Sequence, residues 1–239
     1  MATRQGRQSQ ALPREGVGPG GRPRGPRLHS PPKIRPQHVV LGPSDRLAGR
    51  PFTDPEETQG DALIMAAMLA RERAIARTWR RHDAGPGIVE QTEAGSRQLL
   101  AVPDGGALLA AHDVTAVGFF GQLRAGVDHA VLFEHERRIA ETFPAFAGLG
   151  FLSYFDLGPE HGRYGNLILF STPDVPAEWH ANPAHRQAVA IAPQHYDSVR
   201  LHKGRIPGSF LGDGEPRIER TQYLDFRGAR IWRAARSYT

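Results

Sequence analysis

The chain has 239 residues, 39% of them hydrophobic, and a net charge of +5, enough for one large domain or one ordinary domain with extensions. It has no cysteine, which excludes disulfides, thiolate metal sites and a cysteine nucleophile. No apolar run approaches the roughly 20 residues needed to cross a bilayer, and residues 1–37 lack the apolar stretch of a secretory signal, so a cytoplasmic protein is expected.

The charge is unevenly spread. Residues 1–37 hold Arg4, Arg7, Arg14, Arg22, Arg24, Arg27, Lys33 and Arg35 against Glu15 alone. The basicity belongs to this tail and not to the body, which is slightly acidic. Residues 1–60 are rich in Pro, Gly and Arg and bury too little apolar surface to offset the entropy of ordering, so they read as a disordered tail. Only Val39, Val40 and Leu41 are placed to dock locally. Such a tail meets phosphate through charge. With no aromatic residue interleaved for stacking, nucleic acid is not the expected partner.

From Asp61 to His82, Leu63, Ile64, Ala67, Met68, Ala70 and Ile75 recur at helical spacing, with Asp61 as a cap. Residues 97–102 and 107–112 flank Pro103-Asp104-Gly105-Gly106, which predicts a hairpin. Residues 61–113 therefore form a helix-and-hairpin extension. A strand follows from Val114 to Arg124, in which Gly118 and Gly121 mark a bulge or a close approach. Asp128 caps a helix with Leu132, His135, Ile139 and Phe143 on one stripe. Two strands, FLSYFDL (151–157) and YGNLILFS (164–171), come next around the loop 158–163. A broken helical region then carries Asn182 as cap, with Pro183 and Pro193 each in a first turn. Its second segment ends at His202-Lys203-Gly204. The last strand is Ile218 to Phe226, and 227–239 is a C-terminal tail.

Residues 114–226 thus read strand, helix, strand, strand, helix, strand. The predicted fold class is α+β: a ferredoxin-like βαββαβ antiparallel sheet with helices on one face. Both faces of that sheet are apolar. Ile168 and Phe170 oppose Leu167 and Leu169, and Phe119 opposes Phe120. A second copy of the sheet, making a homodimer, is the expected cover; residues 61–112 are the alternative.

On this order, and on Trp179 followed by His185 at the second helix, residues 114–226 resemble the dimeric α+β barrel superfamily, and within it the antibiotic biosynthesis monooxygenase-like proteins. The resemblance implies a homodimer and an oxidoreductase that is cofactor-free or binds haem. The haem-degrading branch adds an Asn on the first strand, which TAVGFFGQLR lacks, and spaces its Trp and His more widely than Trp179 and His185.

The expected function is therefore a monooxygenase-like oxidoreductase acting on a small aromatic molecule between helices and sheet. His185 acts as base or haem ligand, with Trp179 and Tyr154 as pocket walls. Phe119, Asn166 and Tyr196 complete the substrate contacts, and His195 is a further candidate for holding a cofactor. Asn166 and Tyr154 are polar positions within apolar strands, and each needs a partner if buried. The alternative is a non-catalytic dimeric module that binds a ligand or a protein. No flavin, nicotinamide, P-loop or G-x-S-x-G motif occurs.

Overall fold

A computed structural model describes residues 38–79, 87–93, 96–102, 105–142, 149–156, 162–175 and 177–238, with backbone alone for 87–93, 96–100, 133 and 149–156. The tail 1–37 and its reading therefore lie outside the described residues.

The described chain runs β1 (Val39–Leu41), a 3₁₀ turn (Pro51–Thr53), α1 (Pro55–Ala76), β2 (Gly87–Glu93), β3 (Ser96–Val102), α2 (Gly105–Ala110) and β4 (His112–Leu123). It continues through α3 (Ala130–Thr142), β5 (Leu149–Asp156), β6 (Arg163–Phe170), α4 (Ala177–Ala181), α5 (Pro183–His195), β7 (Tyr196–Ser209), β8 (Arg217–Asp225) and β9 (Trp232–Ser237). The strands form one mixed, open sheet in the order β1-β9-β8-β7-β4-β6-β5-β3-β2. The β1–β9 pair is parallel and every other pair is antiparallel. The fold is α+β.

Side chains alternate across the pleat, and the two faces build two cores. On one face Val114, Ala116, Phe120, Leu167 and Leu169 pack with Met65, Met68 and Leu69 of α1 and Leu108 of α2. On the other, Tyr164, Ile168, Phe170, Tyr196 and Val199 pack with Leu132 and Ile139 of α3, Trp179 of α4 and Ala184 of α5. The two-sided apolar sheet is as expected, but its second face is covered by α1 and α2 of the same chain. The ground for a second copy is thereby met within one chain.

Several boundaries differ from expectation, each for a local reason. Helix α1 begins at Pro55, whose fixed φ suits the first turn, with Glu56 and Glu57 at the positive end of the helix dipole. Asp61 is thus inside the helix and does not cap it. Residues 105–110 are a helix, and β3 pairs with β2 and β5. A short apolar run such as ALLA does not distinguish strand from helix by period. Asp128 and Asn182 do cap: Ala130 N–H donates to Asp128 Oδ1 and Ala184 N–H to Asn182 Oδ1, both at 2.9 Å.

The largest difference follows Pro193. That proline lies in the last turn of α5, and 196–209 is the long strand β7. Gly204 is a bulge glycine: a Cβ there would stand 2.0 Å from the Arg217 carbonyl oxygen. β7 therefore takes the place beside β4, and 217–225, expected there, sits one strand further out. The expected C-terminal tail contains β9. Its Arg236 is fully buried and donates to the carbonyls of Gly42, Asp45 and Thr53.

Candidate functional site

Two gatherings of buried polar groups bear on function, one on each side of the sheet. Under α1, Asp61 meets β7. Arg200 grips its carboxylate with two donors, Nη2 at 2.9 Å from Oδ1 and Nε on Oδ2. His202 Nε2 donates to Oδ2 at 2.9 Å, and its Nδ1 lies 2.8 Å from Thr221 Oγ1. Glu57 adds a second carboxylate 3.3 Å from Arg200. Burial opposes ionisation of Asp61, but the hydrogen bonds from His202 and Arg200 hold its carboxyl below the usual range. Burial likewise keeps His202 below the ordinary histidine range, against the pull of Asp61. Arg200 is thus the charge partner and His202 a neutral donor.

The Thr221–His202–Asp61 chain has the polarity of a nucleophile–base–acid relay. Thr221 and His202 are both 0% exposed, so no substrate reaches the hydroxyl. The network is a clamp that holds α1 to β7. Sequence reading missed it because it placed Asp61 at a helix cap and His202 in a helix.

The second gathering lies between α3–α5 and the sheet. Trp179 is buried, and its ring centroid lies 4.6 Å from that of His185. Burial first, and the nearby His180 second, pull the His185 pKa down to about 4, so the imidazole is neutral near pH 7. Its Nδ1 is buried and takes no hydrogen bond from the protein.

Further along the same layer, Phe119, Tyr164 and Tyr196 meet edge to face, with Phe119 and Tyr196 centroids 5.4 Å apart. His195 ends α5 and faces His129 at 5.7 Å. Burial, then His129 and His135, lower its pKa, against a weaker pull from Asp128. Burial, then Glu136, push the Tyr196 hydroxyl well above its usual value. His129 Nε2 donates to the Arg124 carbonyl at 3.1 Å. The Nδ1 atoms of His129, His135 and His195 and the Oδ1 of Asn166 are buried without a partner in the protein.

The expected residues are thus only partly brought together. Trp179 and His185 are in contact, and Phe119 and Tyr196 are in contact. His185 and His195 are ten positions apart on one helix, about 15 Å along its axis, so they do not share one iron. His195 and His202, both expected in the second helical segment, lie on opposite sides of the sheet. Asn166 is registered against Phe119 of β4 and Tyr154 of β5; the Tyr154 side chain lies outside the described residues. His129, which sequence reading passed over, and His135, read only as a stripe position, belong to the layer. Their one signal was position: each falls beside or on the buried stripe of α3.

Among the described residues no group of three or more His, Cys, Asp or Glu could hold a metal ion. Among them, too, no helix is long and apolar enough to cross a membrane. Comparison with protein-family models, curated proteins and solved structures found no match.

Proposed function

We propose that the chain is a small-molecule-binding protein built on a split βαββαβ unit, with its ligand between α3–α5 and the sheet. The neighbour order β7-β4-β6-β5 supports that unit, as does the packing of α3, α4 and α5 on one face. The observation that carries the binding reading is the set of buried polar atoms without a hydrogen-bond partner in this layer: Asn166 Oδ1, an acceptor, and the Nδ1 atoms of His129, His135, His185 and His195, whose roles follow the tautomer. Each costs about 1–3 kcal/mol unless something pairs with it. A largely apolar ligand carrying hydroxyl or amine groups, which both donate and accept, would meet them, with Phe119, Tyr196 and Trp179 as aromatic walls. No second copy of the chain enters this reading, since α1 occupies the other face.

A second reading, a monooxygenase-like oxidoreductase, rests on Trp179 and His185. A base works best with a pKa near the working pH, which a value of about 4 does not provide. A neutral imidazole fits the role of haem ligand better, and haem when bound would supply the oxygen-activating iron. His185 would hold it and Trp179 would fix the ring of His185.

The two readings separate by experiment. His195→Leu and Asn166→Val each remove an unpartnered polar atom, and each should raise the urea unfolding free energy of the ligand-free protein by about 1 kcal/mol. A loss of stability in both would show that these groups serve the fold, and would sink the binding reading. A Soret band on adding haem that His185→Ala abolishes would establish His185 as a haem ligand, on which the oxidoreductase reading rests.

A further inference from the structure

A third feature lies away from both layers. The segment before the 3₁₀ turn and the bend between β8 and β9 enclose an open cleft of about 390 Å³, walled by Gly49, Arg50, Asp225, Arg227, Arg230 and Trp232. Three arginines face one carboxylate, a surplus of two positive charges in one concavity, which focuses the field on an entering anion.

The arginines are held in place. Asp225 takes Arg227 side-on, Nε to Oδ1 at 3.0 Å and Nη2 to Oδ2 at 2.8 Å. Arg227 Nη2 also donates to the Gly49 carbonyl at 3.1 Å. Asp225 is itself buried and lies 3.3 Å from Arg50 Nε. The Arg50 guanidinium then lies over Trp232, 4.3 Å from the ring centroid. Stacking of this kind fixes the guanidinium plane and leaves its outer edge free to donate. Among the described residues the Nη atoms of Arg50 and all donors of Arg230 make no hydrogen bond or ion pair. One aspartate thus organises two arginines without neutralising the cleft.

We propose that this cleft binds a phosphate monoester of a small apolar alcohol, a site separate from the helix-side layer. A dianion matches the two surplus charges, whereas a carboxylate leaves one unmet. Fork-shaped donors on Arg50 and Arg230 match phosphate oxygens, and Trp232 offers apolar surface to the organic part.

The test is calorimetric titration of the full chain with phenyl phosphate, and with inorganic phosphate, against sodium chloride of equal ionic strength. Saturable binding of phenyl phosphate is expected, weaker for inorganic phosphate. Arg230→Ala and Arg50→Ala should each weaken it about tenfold or more. Arg230 is exposed and unpaired, so Arg230→Ala should leave the thermal midpoint unchanged. No saturable binding at millimolar phenyl phosphate overturns the proposal. So does binding that survives the Arg50→Ala/Arg230→Ala double variant, because it would then belong to other basic groups such as the tail.

Discussion

Two polar clusters on opposite sides of the sheet are satisfied in opposite ways. Strand β7 serves both: Arg200 and His202 project under α1, while Tyr196 projects toward α3 and α5. Under α1, Asp61, Arg200, His202 and Thr221 all have partners within the protein. Toward α3 and α5, Asn166 Oδ1 and four histidine Nδ1 atoms have none. A polar network that is satisfied adds rigidity, and one that is open keeps its hydrogen-bonding capacity for something else. On the proposed reading, the contrast separates holding from binding within one layer of strands.

Breaking the holding side should have the largest effect. Asp61→Ala leaves Arg200 charged under α1 and should cost about 3–5 kcal/mol in urea unfolding. A cost below about 1 kcal/mol would erase the distinction between the sides. Next comes acid. The pKa of His185 is about 4 in the fold and near 6.5 in the unfolded chain. The unfolded state therefore binds more protons between those values. The contribution is whole above pH 6.5 and falls as pH drops toward 4, by about 2 kcal/mol after allowance for partial exposure. His195 and His202, also depressed, act in the same direction. Stability against pH for His185→Leu should show a shallower slope across this window; an unchanged slope would place the acid sensitivity elsewhere.

A finer comparison uses two glycines of β4. A Cβ on Gly121 would stand 2.3 Å from the Tyr196 ring, whereas one on Gly118 would stand 2.7 Å from Met65 Sδ. The ring is wedged between Phe119 and Tyr164, while the thioether can turn aside. Gly121→Ala should cost about 1.5 kcal/mol and Gly118→Ala under about 1 kcal/mol by thermal unfolding. Equal costs would mean that the two sides are packed with the same stiffness.

Much of the strand and helix content was legible. The Asn182 and Asp128 caps, the alternation in β6 and the close approaches at Gly118 and Gly121 all follow from local chemistry. β7 did not, because its buried positions include Arg200 and His202, which erase the apolar alternation that marks a strand. Their partner Asp61 is about 140 positions away, and no local pattern shows that pairing. The clamp was illegible for that reason. Trp179 and His185 were singled out through the resemblance, and lie only six positions apart; His129 joins His195 only through the packing of α3 on α5.

The β1–β9 edge sets an order in time. Val39 pairs with Ala234, and Arg236 gathers the carbonyls of Gly42, Asp45 and Thr53. Closing a loop of that length is entropically unfavourable until much of the sheet exists. The strand 39–41 has no pairing partner before β9 is laid beside β8. In refolding, the earliest described residues of the chain should thus be among the last to gain protection from hydrogen exchange.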